Sequence, residues 1–209
     1  MKSEKLLKSE SDAVSPVVGV MLMLVVTIII AAVVSGFAGG IMTSSDKTPQ
    51  ATIKGTFSLS DGMRITHTGG DPIAMHKVVF GIYDGETFGP DVDTVTKQTL
   101  NKSTMTYYNA DGKVEDVMGP SGSYNMTSFV AGSSIYIGER YCAPDYLQPG
   151  ICPDGYDYDN DKSQYHNDKY KNRWSLCLYN VNNIGRDFVL TVSDTSGNLI
   201  AKTKVTVTS

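Results

Sequence analysis

The sequence predicts an α+β protein in which one long apolar N-terminal helix precedes an all-β head of sandwich or barrel type. Three observations carry that expectation. No charged residue occurs between Ala13 and Ser45. Beyond residue 50 the hydrophobic period changes from helical to two, with glycine-bearing turns between the runs. No amphipathic helical pattern follows that change. The 209 residues, 41% hydrophobic and 19% charged, suit one domain plus an anchor. A net charge of -4 leaves no basic excess to neutralise phosphates, so no nucleic-acid partner is expected. The apolar content is also too high for chain-wide disorder.

The helix comes first. Ser15 can cap it, and Pro16 suits its first turn, where a missing N–H costs nothing. From Pro16 to Met42 it would be about 40 Å long, against a bilayer core of about 30 Å. A cleaved secretory signal has an apolar stretch of only about 7–15 residues, which this run exceeds. An anchor left in place is one remaining reading. The other looks at Met1–Ala13, a short polar leader in which Lys2, Lys5 and Lys8 are balanced by Glu4, Glu10 and Asp12. A cut between Ala13 and Val14 would leave a mature chain that begins with the helix. Association of such helices depends on small residues that allow close approach. Gly19, Ala32, Gly36 and Gly40 are the packing candidates, the last three at four-residue spacing.

Residues 43–50 read as a polar linker, and strands follow. Ala51–Leu59 alternates, with Ile53, Phe57 and Leu59 on one face, and turns at Ser60-Asp61-Gly62 into Met63–Thr68. Further strands are expected at Lys77–Tyr83, Val92–Leu100, Ser134–Gly138 and Trp174–Tyr179. A closing hairpin runs from Asp187–Ser193 through a turn at residues 194–197 into Asn198–Val207. His67 beside Gly69-Gly70-Asp71-Pro72 reads as a turn needing a positive φ, with Asp71 bonding its own backbone, and not as a metal site.

Residues 141–170 form a long Tyr- and Asp-rich segment between strands, read as an inserted loop with exposed tyrosines suited to surface contact. Within it Asp157, Asp159 and Asp161 have the spacing that opens a calcium loop. An EF-hand would want Gly and Glu where Lys162 and Asp168 stand. A looser calcium site and a plain solvated acidic loop both remain open; no other cofactor is expected. Of three cysteines at most two can pair within a subunit. Cys142–Cys152 is the first choice, and a bridge from either to Cys177 is the alternative. Asn101 and Asn125 head two glycosylation sequons. No motif calls for catalysis, so no catalytic residue is named.

The stretch Asp12-Ala13-Val14-Ser15-Pro16-Val17-Val18-Gly19-Val20-Met21-Leu22-Met23-Leu24 resembles the N-terminal signature of archaeal type IV pilins. The His67–Pro72 turn and the segment Phe188–Ile200 resemble that family's ectodomain turn and closing hairpin, while residues 101–177 have no counterpart. The resemblance implies cleavage between Ala13 and Val14 by an aspartyl membrane prepilin peptidase. It departs from the family at Asp12, where related leaders often carry Lys or Arg. Val18 stands where bacterial pilins carry Glu, so packing alone would drive assembly.

The expected division is a leader at 1–13, a filament-core helix at 14–42, a linker at 43–50 and an extracellular head at 51–209. The expected role is an adhesive pilus subunit, not an enzyme. Its partners would be further copies of itself, the peptidase and assembly machinery, and the membrane before assembly; its place would be the cell membrane, then the surface filament. The alternative is a membrane-anchored surface domain, or a minor or tip subunit, binding a ligand or calcium through the 141–170 loop.

Overall fold

In the computed structural model, which describes residues 16–41, 47–153 and 157–209, the chain divides into two compact units between residues 47 and 48. The first contains α1, Pro16–Ile41, whose 26 residues span about 39 Å at 1.5 Å per residue. Valine and isoleucine are middling helix formers, and here they suit a helix that is apolar on every side. Pro16 is its first residue, as expected from sequence. The Thr27 hydroxyl donates to the Leu24 carbonyl at 2.9 Å, which satisfies that polar group within the helix. The leader, Ala13, Val14 and residues 42–46 lie outside the described residues.

The head is a curled sheet. Its strands are β1 (Ala51–Ser58), β2 (Gly62–Gly70), β3 (Ile73–Ala74), β4 (Val78–Asp84), β5 (Gln98–Thr99), β6 (Met105–Tyr108), β7 (Val114–Asp116), β8 (Ser128–Phe129), β9 (Ser134–Ile137), β10 (Asp187–Asp194) and β11 (Leu199–Thr208). Nine pair in the order β5-β4-β10-β11-β1-β2-β9-β6-β7, and β3 with β8 makes a separate ribbon. The pairings are antiparallel except β1 with β11, which run parallel through Phe57↔Val207 and Ser58↔Thr208. Thus the first and last strands of the head meet at the centre of the sheet.

Alternation sets the buried face. Ile53, Phe57 and Leu59 are buried as predicted, and Met63, Ile65 and His67 of β2 join them. Strand β4 is buried at Val78, Phe80 and Ile82, and neighbouring β10 at Phe188, Val189 and Leu190. Phe57 meets Phe188 edge-on, ring centroids 5.6 Å apart. Gly55 lies where a Cβ would press on Val205 and Leu190, so the core fills against bare backbone there. Gly62 has φ +85°, and a Cβ on it would collide with the Ile137 carbonyl. The tight β1–β2 turn therefore requires glycine.

Two expected strands differ. Val92–Leu100 forms one helical turn, Asp93–Thr96, before the two-residue β5. The Thr96 hydroxyl explains the turn: it donates to the Val92 carbonyl at 2.8 Å and accepts from the Asp84 N–H at 2.9 Å. Trp174–Tyr179 is not a strand; Lys171–Leu176 is a 3-10 helix. A short apolar run has no period long enough to separate a strand from a buried coil.

Candidate functional site

Two regions carry the sequence-derived candidates. In α1 every residue from 17 to 36 is exposed, with Val17 at 65% and Met23 at 71% of full accessibility. An apolar surface on all sides, rather than on one stripe, calls for lipid or other helices around it. At 100° per residue Ala32, Gly36 and Gly40 fall in one row, while Gly19 stands about 140° away from Ala32. The space beside Gly19 and Gly36 is open, with nothing within 4 Å of a Cβ built on either. That row is made of small residues.

The second region is the Tyr/Asp segment, and part of it is packed while many of its polar residues stay exposed. Tyr165 is buried and stacks on Trp174 with centroids 5.3 Å apart; Tyr158 stacks on the same indole at 5.9 Å. Tyr158 also meets Tyr179 edge-on at 5.4 Å. Burial pushes the Tyr158 and Tyr179 hydroxyls up to about 12, so both stay neutral at physiological pH. Only part of the expected tyrosine surface is open. Tyr141 and Tyr146, each 41% exposed, pair edge-on at 5.3 Å, with the Arg140 guanidinium 4.7 Å over the Tyr146 ring. Tyr156 lies outside the described residues.

Asp157, Asp159 and Asp161 shape a reversal of the chain. Asp159 N–H donates to the Gln164 carbonyl at 3.0 Å, and His166 N–H to the Asp157 carbonyl at 2.8 Å. The Asp159 carboxylate accepts from Ser163 N–H at 2.7 Å, Gln164 N–H at 3.1 Å and the Ser163 hydroxyl at 2.9 Å. Asp161 accepts from the same Ser163 N–H at 2.9 Å. Burial acts to raise the Asp159 pKa, and the bonds from Gln164 and Ser163 outweigh it and hold the carboxyl below its ordinary range. The calcium-like spacing is thus a turn in which the Asp159 and Asp161 carboxylates already have donors. Among the described residues no three His, Cys, Asp or Glu side chains converge on a metal position.

Lys162, at φ +61°, turns its ammonium into the lobe instead. It donates to Glu139 Oε1 at 2.9 Å and to the Leu59 carbonyl at 3.0 Å, 4.0 Å over the Tyr179 ring. The Lys162 bond, then that from the Tyr179 hydroxyl, holds the Glu139 carboxyl below its ordinary value. The sequence already marked Lys162 as the residue standing where a calcium loop has glycine; its contacts with Glu139, Leu59 and Tyr179 carry no local sequence signal.

The remaining candidates are spread over the head. His67 donates from Nε2 to the Asp71 carbonyl at 3.0 Å and packs edge-on against Phe129. Gly70 takes the positive φ expected there, +100°. Asp71, however, bonds Gln50 in both directions: its N–H to the Gln50 carbonyl at 2.7 Å, its carboxylate from the Gln50 N–H at 3.0 Å. The turn fastens the start of the head to the end of β2. Asn101 and Asn125 are both exposed; Asn101 Oδ1 accepts from the N–H and hydroxyl of Ser103, its own sequon partner. All three cysteines are buried. Cys142 donates to the Ile137 carbonyl at 3.6 Å, whereas Cys152 has a hydrogen-bonding neighbour in Cys177. The fold therefore makes neighbours of Cys152 and Cys177, the alternative pairing.

With α1 described, a comparison with known families places it. Residues 12–53 match the family model described as "Archaeal Type IV pilin, N-terminal". The chain carries an archaeal type IV pilin N-terminus. That pilin segment covers α1 and the opening residues of β1. Pilins are structural subunits, and the family implies assembly into a filament. An uncharacterised protein of Archaeoglobus fulgidus is 39% identical over 69 residues, which cover 32% of this chain and 48% of that protein. The match therefore spans about half the length of that relative.

Proposed function

We propose that the chain is the precursor of an archaeal type IV pilus subunit that works in surface adhesion. A prepilin peptidase cuts between Ala13 and Val14, the released helix 14–42 joins the filament core, and residues 51–209 form the extracellular head. The observation that carries this reading is the apolar surface of α1, open on every side, within a segment that matches the pilin family. Exposed to water, such a helix would forgo tens of kcal/mol at roughly 1.5–3 kcal/mol per large apolar side chain, an upper figure. Lipid covers it before assembly, and neighbouring helices cover it afterwards. No charged residue lies within α1, so assembly rests on shape, with the row Ala32–Gly36–Gly40 as the contact that lets helices close.

Intact mass and N-terminal sequencing of protein from sheared surface filaments and from membranes test the proposal. A mature chain beginning at Val14 and recovered from filaments is the expected result. A chain beginning at Met1 and confined to membranes would sink it and leave an anchored surface domain. Gly36→Leu sharpens the test, because it makes α1 more apolar yet blocks the row. The variant should insert in the membrane normally and fail to enter filaments.

A further inference from the structure

The three cysteines are not equivalent. Cys142 sits apart, its thiol turned to the Ile137 carbonyl. Cys152 and Cys177 lie 25 positions apart in sequence, both fully buried, and the fold holds them side by side with a hydrogen bond between their side chains. Gln148 explains how. Its carbonyl accepts from the N–H groups of Ile151 and Cys152, at 2.9 and 3.2 Å, and so closes the turn that ends at Cys152. Its side chain reaches across to both neighbours of Cys177, accepting from Leu178 N–H at 2.7 Å and donating to the Leu176 carbonyl at 3.4 Å. One buried amide thus clamps the two cysteine-bearing segments together.

We propose that Cys152 and Cys177 are the oxidation pair of the head and close its single intramolecular disulfide, leaving Cys142 a thiol. Closure forms one S–S bond and breaks two S–H bonds. The two electrons and two protons pass to an external disulfide, which leaves as two thiols. Burial holds the Cys177 thiol well above its ordinary value, and attack needs a thiolate. The bridge therefore forms while the lobe is open during folding, and the closed lobe then shields it from reductants. The proposal rests on the head reaching an oxidising exterior, but the pairing itself is tested without that premise.

The full chain, purified reduced in non-ionic detergent, is unfolded in urea and refolded with oxidised and reduced glutathione. It is then denatured, alkylated without reduction and mapped by peptide mass. The expected product is two hydrogens lighter, with alkyl on Cys142 alone and one cross-linked peptide pair containing Cys152 and Cys177. Cys142→Ser should still form the bridge, and Cys152→Ser should leave both remaining cysteines reactive. In the chain-entropy picture a closed loop of about 25 residues raises the folded-to-unfolded ratio on the order of a few hundred-fold, lost on reduction. Three reactive cysteines after refolding, or a cross-link through Cys142, would overturn the assignment. Repeating the map on protein taken directly from filaments tests export separately: a bridge formed with glutathione but absent from filaments would count against the exterior location, not against the pairing.

Discussion

The Asp84 carboxyl makes head stability depend on pH in the direction opposite to most carboxylates. It ends β4 at 1% exposure, accepts one long bond from Gln148 Nε2 at 3.3 Å, and has no hydrogen-bond partner for Oδ2 among the described residues. Burial pushes its pKa from 3.8 up to about 7, against weaker lowering by Gln148 and by the charge of Arg186. Between about pH 4 and 7 the folded head holds a proton that the unfolded chain has released. The contribution to stability is full below the unfolded value and is lost as pH rises through the folded one. A shift of about three units at about 1.4 kcal/mol each sets a ceiling of about 4 kcal/mol. Glu139, Asp159 and Asp194 are shifted downward and act only as pH falls towards their own lower values, so the window from pH 5 to 8.5 excludes them, and the difference between wild type and Asp84→Asn separates Asp84 from the three histidines. Urea unfolding of the full chain in detergent can be followed through Trp174, the sole tryptophan, which lies inside the head. Wild type should lose more stability across that window than Asp84→Asn, which should be the more stable of the two at the alkaline end. Parallel curves for the two proteins would refute the reasoning.

Three further outcomes are expected. Gly62→Ala should cost about 2–3 kcal/mol, because it combines a positive φ with a backbone collision, whereas Gly197→Ala, at φ +91° with open space, should cost about 1 kcal/mol; urea midpoints decide. Lys162→Met should lose about 1–2 kcal/mol and let the Glu139 carboxyl titrate closer to its ordinary value, read by carboxyl NMR, since its ammonium leaves Glu139, the Leu59 carbonyl and the Tyr179 ring together. Millimolar calcium should leave the urea midpoint of the head unchanged, because the Asp159 and Asp161 carboxylates already accept from Ser163 and Gln164; a rise in midpoint would show a site that this geometry does not form.

What sequence could show followed periodicity. The charge-free run announced α1, and the odd-numbered alternation of Ile53, Phe57 and Leu59 announced β1 and its buried face. The hairpin of β10 and β11 was legible because its strands are long and its turn carries Gly197. The failures share a cause: they concern segments whose conformation is set by distant partners. Trp174 lies on a 3-10 helix because Tyr158 and Tyr165 clasp its ring, and no local pattern records that. Strands β6 and β7 are short and partly exposed, so their alternation is too brief to read. Asp157, Asp159 and Asp161 left two readings open in sequence because a carboxylate spacing that suits a cation equally suits a chain reversal with amide donors. The proximity of the segments that carry Cys152 and Cys177 is held by Gln148, a residue that sequence reasoning had no cause to single out.

The contrast between the two units follows from how each satisfies its surface. The head encloses most of its own apolar side chains in one contiguous core. The pilin helix encloses none of its own between residues 17 and 36. Lipid solvates such a helix as well as protein does, so the hydrophobic effect alone gives no preference for a filament over a bilayer. The preference has to come from close packing, and α1 offers that chiefly where its side chains shrink, towards Ala32, Gly36 and Gly40. Its earlier turns are crowded with Val, Met, Leu and Ile, which fit lipid and a neighbouring helix equally well. Under the proposed function, the choice between membrane and filament is therefore concentrated in the last turns of a helix whose remainder is indifferent to it.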